Sequence, residues 1–385
     1  MEFTEPDEHT ALRSAVGRIT DAFGPAYFRD KAASGEPTTE LWRALGEHGF
    51  IGINIPETYG GGGAGLAELV AVCEETAARG CPLLLLLVSS AISGEVIARY
   101  GTEAQRKEWL PRLASGETKV VFAITEPDAG SNSHQLKTTA RREGADYVLN
   151  GTKHYISGIE EASAILVVAR TSSDTGTGRG RLSLFLVPTD APGLVKHPLP
   201  IGIGLPERQH TLHFDDVRVP ADDLIGSEGD GFAQVFHGLN PERITGAAVC
   251  VGVGRYALAR AVEYAKSRAV WDDVPIGAHQ GVAHPLAEAK IQVELAALVT
   301  AKAAWLHDNE LPAGEASNTA KFAAAEASLA AVNASIQAHG GNGMSAEYGL
   351  LPMWALARLL RIAPVNRELI LSYVAQHSLG LPKSY

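Results

Sequence analysis

The sequence has few cysteines and no pattern that would use them. Its three cysteines are Cys73, Cys81 and Cys250, and an odd number argues against a disulfide framework. None belongs to a C-x-x-C pair, and no Cys/His cluster has zinc spacing, so we expect no metal site. This cysteine usage, with no apolar signal core in the first residues, leads us to expect a reducing, cytoplasmic location.

Two further absences exclude classes of partner. The formal net charge is −11, from 33 basic and 44 acidic residues, and no basic stripe interleaved with aromatic residues occurs. Because phosphate backbones are bound by local positive charge, we expect no nucleic-acid partner. The main apolar run, residues 81–88, is far shorter than the ~20 residues that cross a bilayer, so we expect no membrane span.

What the chain does contain is three successive patterns along 385 residues. Residues 1–118 are typical of helices. The clearest helical periodicity falls at 41–48, 66–78 and 104–113. Residues 119–226 carry short β-rich stretches between turn residues, which favours an antiparallel barrel or sandwich over βαβ units. Residues 227–385 return to helices, with an alanine-rich run at 320–338.

We therefore predict a mainly α chain with a central β domain. Its parts are an N-terminal helical domain, a middle antiparallel β barrel or sandwich, and a C-terminal four-helix bundle. In the last part, apolar residues fall on one helical face at Ile291, Leu295, Leu298 and Trp305. Gly252 lies within a predicted helix, where close helix packing explains it better than a dinucleotide motif. Residues 171–181 are predicted to form a flexible loop.

The most informative segment is Ala123-Ile-Thr-Glu-Pro-Asp-Ala-Gly-Ser131-Asn132. By itself it is a strand end that runs into a small-residue turn, and a hairpin would be its ordinary interpretation. It resembles, however, the T-E-P-x-A-G-S-D signature of acyl-CoA dehydrogenases. Further segments resemble that family in the same order at 151–157, 213–220, 229–232, 268–280 and 337–343. The resemblance covers nearly the whole chain and implies a fold that agrees with the three patterns.

The resemblance implies that the chain binds FAD between the β domain and the last helical domain. Tyr155 would replace a flavin-stacking tryptophan, and Ser157 would replace a threonine at the flavin edge. The other residues implied near the flavin are Phe122, Ile124, Thr125, Ser131 and Asn366. Those implied to hold the ADP half of a neighbouring subunit's FAD are Arg268, Trp271, Gln280, Gln337, Gly340 and Gly341. Such sharing requires at least a dimer, and a homotetramer is usual in the family.

The family reaction removes a proton from the α carbon and a hydride from the β carbon of an acyl-CoA thioester, with a carboxylate as base. In most members the base lies in an I-Y-E-G-T segment, where this chain has Pro364 instead of glutamate. Isovaleryl-CoA and long-chain members carry it on an earlier helix, which matches Glu242 before Arg243. We predict Glu242 as the base, with Asn240 and Arg243 at the substrate. Without the resemblance, Glu242 would be interpreted as a first-turn helix residue behind Pro241.

Several functions remain open at this point. The leading hypothesis is FAD-dependent dehydrogenation in fatty or branched acyl metabolism, with an electron-transferring flavoprotein as acceptor. An alternative is the same chemistry on an acyl or aminoacyl group carried by a carrier protein. Relatives that remove another leaving group or hydroxylate provide a third. The last possibility is a weakly active FAD-binding subunit that is paired with a homologue. It is considered because Pro364 replaces the usual catalytic glutamate.

Overall fold

The N-terminal part of the computed structural model, which describes residues 5–172 and 180–383, is helical. Its helices are α1 (Asp7–Ser34), α2 (Thr39–Glu47), α3 (Leu66–Ala78), α4 (Glu95–Tyr100) and α5 (Glu103–Ala114). A π-helical segment at Leu86–Gly94 leads directly into α4. The carboxylate of Asp308 accepts hydrogen bonds from the N–H groups of Leu66 and Ala67, which caps α3 from the C-terminal part of the chain.

Within the described residues, the middle part forms an eight-stranded sheet. Its strands are β1 (Val120–Ala123), β2 (Thr139–Glu143), β3 (Asp146–Ser157), β4 (Ala164–Arg170), β5 (Leu182–Pro188), β6 (Leu194–Pro198), β7 (Gln209–Pro220) and β8 (Leu224–Ile225). The order is β6-β7-β3-β2-β4-β5-β8, and β1 pairs with β4. Residues 173–179 of the predicted loop lie outside the described residues.

The middle β domain is confirmed, but its pairing is mixed. Most neighbouring strands are antiparallel, as predicted, whereas β1 runs parallel to β4 and one residue pair joins β2 to β4 in parallel. The reason is topological. The chain leaves β1, makes the β2–β3 hairpin and returns beside β1 in its original direction.

The C-terminal part is helical, as predicted. Its helices are α6 (Gly231–Ser267), α7 (Gln280–Asp308), α8 (Gly314–His339), α9 (Leu350–Leu360) and α10 (Arg367–His377). The long helices α6, α7 and α8 pack on one another, and α3 packs on α6. A Cβ at Gly252 would lie 2.3 Å from the Glu74 carbonyl oxygen. Gly252 therefore permits the close helix packing that was predicted.

On helix α7, most of the larger apolar residues are exposed to solvent. The side that faces the bundle carries mostly smaller residues, namely Ala289, Val293, Ala296 and Ala303. The residues of the predicted apolar face are 57–61% exposed: Ile291, Leu295, Leu298 and Trp305. The periodicity correctly predicted a helix, but this face lies away from the core of the chain.

None of the described helices is both long and apolar enough to cross a bilayer. In the same ranges, no group of three or more His, Cys, Asp or Glu side chains is arranged to hold a metal ion. Cys73, Cys81 and Cys250 are buried free thiols.

Candidate active site

Glu242 lies well inside α6. The helix begins at Gly231 and continues through Pro241 without a break, so the first-turn interpretation of Glu242 is wrong. Burial raises the pKa of the Glu242 carboxyl group to about 7, although the positive charges of Arg243 and Lys321 oppose the shift. No described side chain donates a hydrogen bond to this carboxyl group. It is therefore placed to accept a proton near neutral pH.

Two cations, a half-buried arginine and a buried lysine, accompany this carboxyl group. Arg243 Nη1 donates a hydrogen bond of 2.9 Å to Asn240 Oδ1, so the two predicted substrate residues contact each other. Burial lowers the pKa of Arg243, and the charges of Glu242 and Tyr373 act against this. Lys321 on α8 is 2% exposed, and its burial lowers its pKa to about 8. Sequence reasoning missed Lys321, because only the fold brings α8 beside Glu242.

The segment before α10 links this part of α6 to the β domain. Lys321 Nζ donates a hydrogen bond to the Val365 carbonyl. Pro364 borders Gly246, one helical turn after Glu242, because a Cβ at Gly246 would lie 3.8 Å from Pro364 Cδ. Asn366 caps α10 and donates from Nδ2 to Ser131 Oγ at 2.8 Å. Two predicted cofactor residues that are far apart in sequence therefore meet.

The other predicted flavin-edge residues lie at the ends of β1 and β3. Phe122 and Ile124 are half-buried and pack against a buried cluster that includes Val235 of α6. The Thr125 carbonyl accepts a hydrogen bond of 2.9 Å from the His154 N–H, which joins the two strand ends. Tyr155 is 58% exposed and has φ 58°, a value that is strained for a bulky non-glycine residue and is enriched at functional sites.

A buried ion pair holds these strand ends together. Lys153 Nζ lies 2.9 Å from Glu126 Oε1 and donates a bond of 3.0 Å to the Ile124 carbonyl. Burial raises the pKa of Glu126, but Lys153 and hydrogen bonds from Thr138 and Lys137 together lower it. Burial lowers the pKa of Lys153 to about 8 despite Glu126. Both residues lie in family-like segments, yet sequence reasoning did not single them out.

The remaining predicted cofactor residues lie elsewhere. They are exposed and gather where α6 and α8 end and α7 begins: Arg268, Trp271, Gln280, Gln337, Gly340 and Gly341. Tyr264 stacks on His339 with ring centroids 4.3 Å apart, which ties the ends of α6 and α8 together. At 1.5 Å a residue, roughly 38 Å of α6 separates Glu242 from the helix end at Ser267. The structure thus divides the predicted cofactor residues into a flavin-edge group and a distal group.

A cavity of ≈ 710 Å³ opens beside Asn240. It lies between α4, α6 and the connection from α7 to α8, and its lining is rich in polar groups. Those include Glu95, Arg99, His237, His307 and Asp308. Burial raises the pKa of Asp308 and lowers that of His307. The residues that line the cavity come from several separate stretches of the chain, so no local sequence motif predicts the cavity.

The two groups of residues fit FAD. The flavin-edge group offers an exposed aromatic ring at Tyr155 and the hydroxyl group of Ser157, which suit a flavin face and its polar edge. In the distal group, Trp271 is 60% exposed. A Cβ at Gly340 or Gly341 would meet nothing within 4 Å, so that backbone is open to a ligand.

Known proteins resemble the chain along its whole length. The N-terminal, middle and C-terminal domains of acyl-CoA dehydrogenase match residues 6–117, 121–217 and 229–379. Acyl-CoA dehydrogenase FadE12 of Mycobacterium tuberculosis is 55% identical over 385 residues, which are 100% of this chain and 99% of the relative.

Solved structures agree. Butyryl-CoA dehydrogenase from Megasphaera elsdenii has a TM-score of 0.93 at 27% identity and covers 98% of this chain and 100% of its own. The prolyl acyl carrier protein oxidase AnaB has a TM-score of 0.90 at 26% identity, with the same coverage.

Three consecutive domain matches cover most of the chain, and the 55% identical relative extends over all of it. Members of this family are oxidoreductases that bind FAD, so FAD is the cofactor of this chain. The chain belongs to the acyl-CoA dehydrogenase family.

Proposed function

We propose that the protein oxidises an acyl-CoA thioester between its α and β carbons, with Glu242 as the base that removes the α proton. The observation that carries the proposal is a half-buried carboxyl group on α6 whose pKa is raised to about 7 by the loss of solvent around it. A general base works best when its pKa lies near the working pH. At the position that most family members use for the base, Pro364 has no group that could accept a proton, so we assign the role to Glu242.

The surrounding side chains support the proton transfer. Arg243 and Lys321 stabilise the ionised form of Glu242 before the reaction. Without a hydrogen-bond donor on the carboxylate, its basicity is not reduced further. Lys321 also fixes Val365, so it holds in place the segment that closes the site opposite α6.

FAD, when bound, supplies the acceptor for the hydride of the β carbon. The chain's own part is to hold the cofactor and keep it in register with Glu242. We assign the ring system to the flavin-edge group: Phe122, Ile124, Thr125, Ser131, Tyr155, Ser157 and Asn366. The hydrogen bond from Asn366 to Ser131 supports this, because it joins the β domain to the segment that borders α6.

The polar arm of the thioester is assigned to the side of α6 that carries Asn240 and Arg243. Their hydrogen bond holds both side chains in place, and the cavity beside Asn240 has polar walls that suit a polar carrier. An arm of this kind also occurs on carrier proteins. Dehydrogenation of an acyl or aminoacyl group on a carrier protein is therefore the second candidate, and the similarity to AnaB favours it.

We propose that the active form is a homo-oligomer, with a tetramer as the expected state. Roughly 38 Å of α6 lies between Glu242, beside which the flavin has to act, and the end of the helix at the distal group, a span that we expect to exceed the reach of one FAD within one chain. The distal group would then hold the ADP half of the FAD of a second copy. The exposed apolar face of α7 gives that copy a surface on which to dock.

We further propose an electron-transferring flavoprotein as the electron acceptor and the cytoplasm as the location. The buried free cysteines suit a reducing compartment.

Anaerobic mixing of the flavin-loaded protein with a panel of acyl-CoA thioesters tests the proposal. We expect one thioester to bleach the oxidised-flavin absorbance, and Glu242→Gln to slow bleaching at least about 100-fold. The matched control is Glu263→Gln, an exposed carboxyl on the same helix, which should bleach like the wild type. Equal rates in Glu242→Gln would remove Glu242 as the base. Bleaching by a carrier-bound thioester alone would favour the second candidate.

A further inference from the structure

Glu207 is a buried carboxyl group that the proposed reaction does not use. Only 2% of the residue is exposed, and its Oε1 accepts a hydrogen bond of 3.0 Å from the Leu84 N–H. Leu84 lies two residues before the π-helical segment Leu86–Gly94. Among the described residues, Glu207 Oε2 has no hydrogen-bond partner. A buried oxygen without a partner costs free energy, so its presence calls for a compensating role.

The segment from Glu207 to Gln209 also contacts the end of β3, where Ser157 lies. Gln209 Nε2 donates a hydrogen bond of 2.7 Å to Ser157 Oγ and one of 3.4 Å to the Glu207 carbonyl. Gly158 lies so close to Leu85 that a Cβ at Gly158 would be 2.7 Å from Leu85 Cδ2. Glu207 thus links the strand end that carries Ser157 to the start of the π-helical segment.

Two charged groups from neighbouring elements influence Glu207. Glu161 follows β3 and Lys119 precedes β1, and the two form an ion pair with each other. Lys119 Nζ also lies 4.7 Å from the centroid of the Trp42 ring. Burial raises the pKa of Glu207 to about 7; Glu161 adds to this shift, and the Leu84 N–H and Lys119 oppose it.

The charged neighbours within the segment are engaged elsewhere. Arg208 Nη2 donates to the Ser34 carbonyl at 3.2 Å. His210 Nε2 lies 3.4 Å from Glu160 Oε1. Within the described residues, no cation forms an ion pair with Glu207.

We infer that Glu207 is a positioning residue, whose carboxyl group fixes the start of the π-helical segment against the strand end that carries Ser157 and so shapes the support of the flavin edge. This inference rests on the proposed function, which places Ser157 at the flavin. The hydrogen bond from the Leu84 N–H supplies the link, and it requires an acceptor oxygen at this position, whether the group is charged or neutral.

Two substitutions in the holoenzyme separate the link from the charge. Glu207→Gln keeps an acceptor for the Leu84 N–H and loses the charge, whereas Glu207→Leu loses both. We expect Glu207→Leu to release FAD about tenfold more readily and to alter the oxidised-flavin spectrum, since the acceptor that holds the Leu84 N–H is lost. Glu207→Gln should retain FAD and the spectrum. Glu160→Gln, beside His210, is the matched control.

The reduction potential of the bound flavin provides a second readout. The inference places Glu207 behind the flavin edge, where an ionised carboxylate would disfavour the addition of electrons. The potential of Glu207→Gln should therefore exceed that of the wild type at about pH 8 and approach it at about pH 6, because Glu207 is then protonated. This readout decides the matter if Glu207→Leu fails to fold.

The two substitutions also define the outcomes that would overturn the inference. Equal FAD retention and spectra in wild type and Glu207→Leu would remove Glu207 as a positioning residue, as would potentials of wild type and Glu207→Gln that coincide at both pH values. A wild type that binds flavin but reacts with no thioester would instead contradict the proposed function. The wild type and the Glu207 variants could still be compared in that case, because neither FAD retention nor the reduction potential requires turnover.

Discussion

The Glu242 carboxyl group is expected to set the pH range in which the protein works. Burial raises its pKa to about 7, and only the ionised form can accept a proton. The rate of anaerobic flavin bleaching by a reactive thioester should therefore rise with pH through about 7 and level off above it. Stopped-flow measurements across roughly pH 6 to 8 would show the step. A rate that is flat over that range would contradict the assignment.

Lys321 is expected to hold the pKa of Glu242 down. Its charge opposes the effect of burial on Glu242, so Lys321→Met should move the rise in bleaching rate upward by about one pH unit. Lys321→Arg keeps the charge and is the matched control, with a profile near that of the wild type. If the pH profile of the bleaching rate is unchanged in Lys321→Met, Lys321 does not influence the pKa of Glu242, and its role is limited to the contact with Val365.

The sequence predicted the residues of the site unevenly. Glu242 was selected because Pro364 occupies the usual position of the base and an earlier Glu-Arg pair matches the alternative, and its role as the base stays a prediction. The interpretation of Glu242 as a first-turn helix residue was wrong, because Pro241 lies inside α6 and does not start it. Lys321 and Glu207 were not found, since each acts on a backbone group that is distant in sequence.

At the scale of elements, the Lys153–Glu126 pair joins β3 to the turn after β1. Removing one partner leaves an uncompensated buried charge, so Lys153→Met should lower the free energy of unfolding by about 3–5 kcal/mol. The matched control is Lys137→Met, which breaks an exposed ion pair with Asp128 and should cost at most about 1 kcal/mol. Denaturant unfolding measures both. Equal losses would show that burial of the pair has no effect.

The elements show what a linear pattern can predict. The residues predicted for α3 coincide with the observed helix Leu66–Ala78, because glycines precede it and its apolar residues recur at helical spacing. Strands β2 and β6 show what such a pattern does not reveal. Both carry many exposed residues, so they lack the apolar alternation that indicates a strand. The parallel β1–β4 pair was missed because its register depends on the intervening hairpin.

At the scale of the whole molecule, α7 is expected to hold copies of the chain together. Leu295 is 61% exposed on the apolar face, and Leu295→Glu would place a charge in the proposed interface. We expect a smaller assembly mass by light scattering and weaker FAD retention. The matched control is Val195→Glu, which puts a charge at an exposed apolar position on β6 and should change neither. An unaltered mass in Leu295→Glu would exclude this face as the contact.

The division of the cofactor residues into two distant groups also has a genetic consequence. If each site combines the flavin-edge group of one copy with the distal group of another, two defective alleles can complement each other. A chain with Glu242→Gln and a chain damaged at Gln337 would each be inactive alone. In a randomly mixed population of dimers, half of the assemblies are hybrids, and each hybrid has one site without either defect. Co-expression of the two alleles would restore about a quarter of the sites.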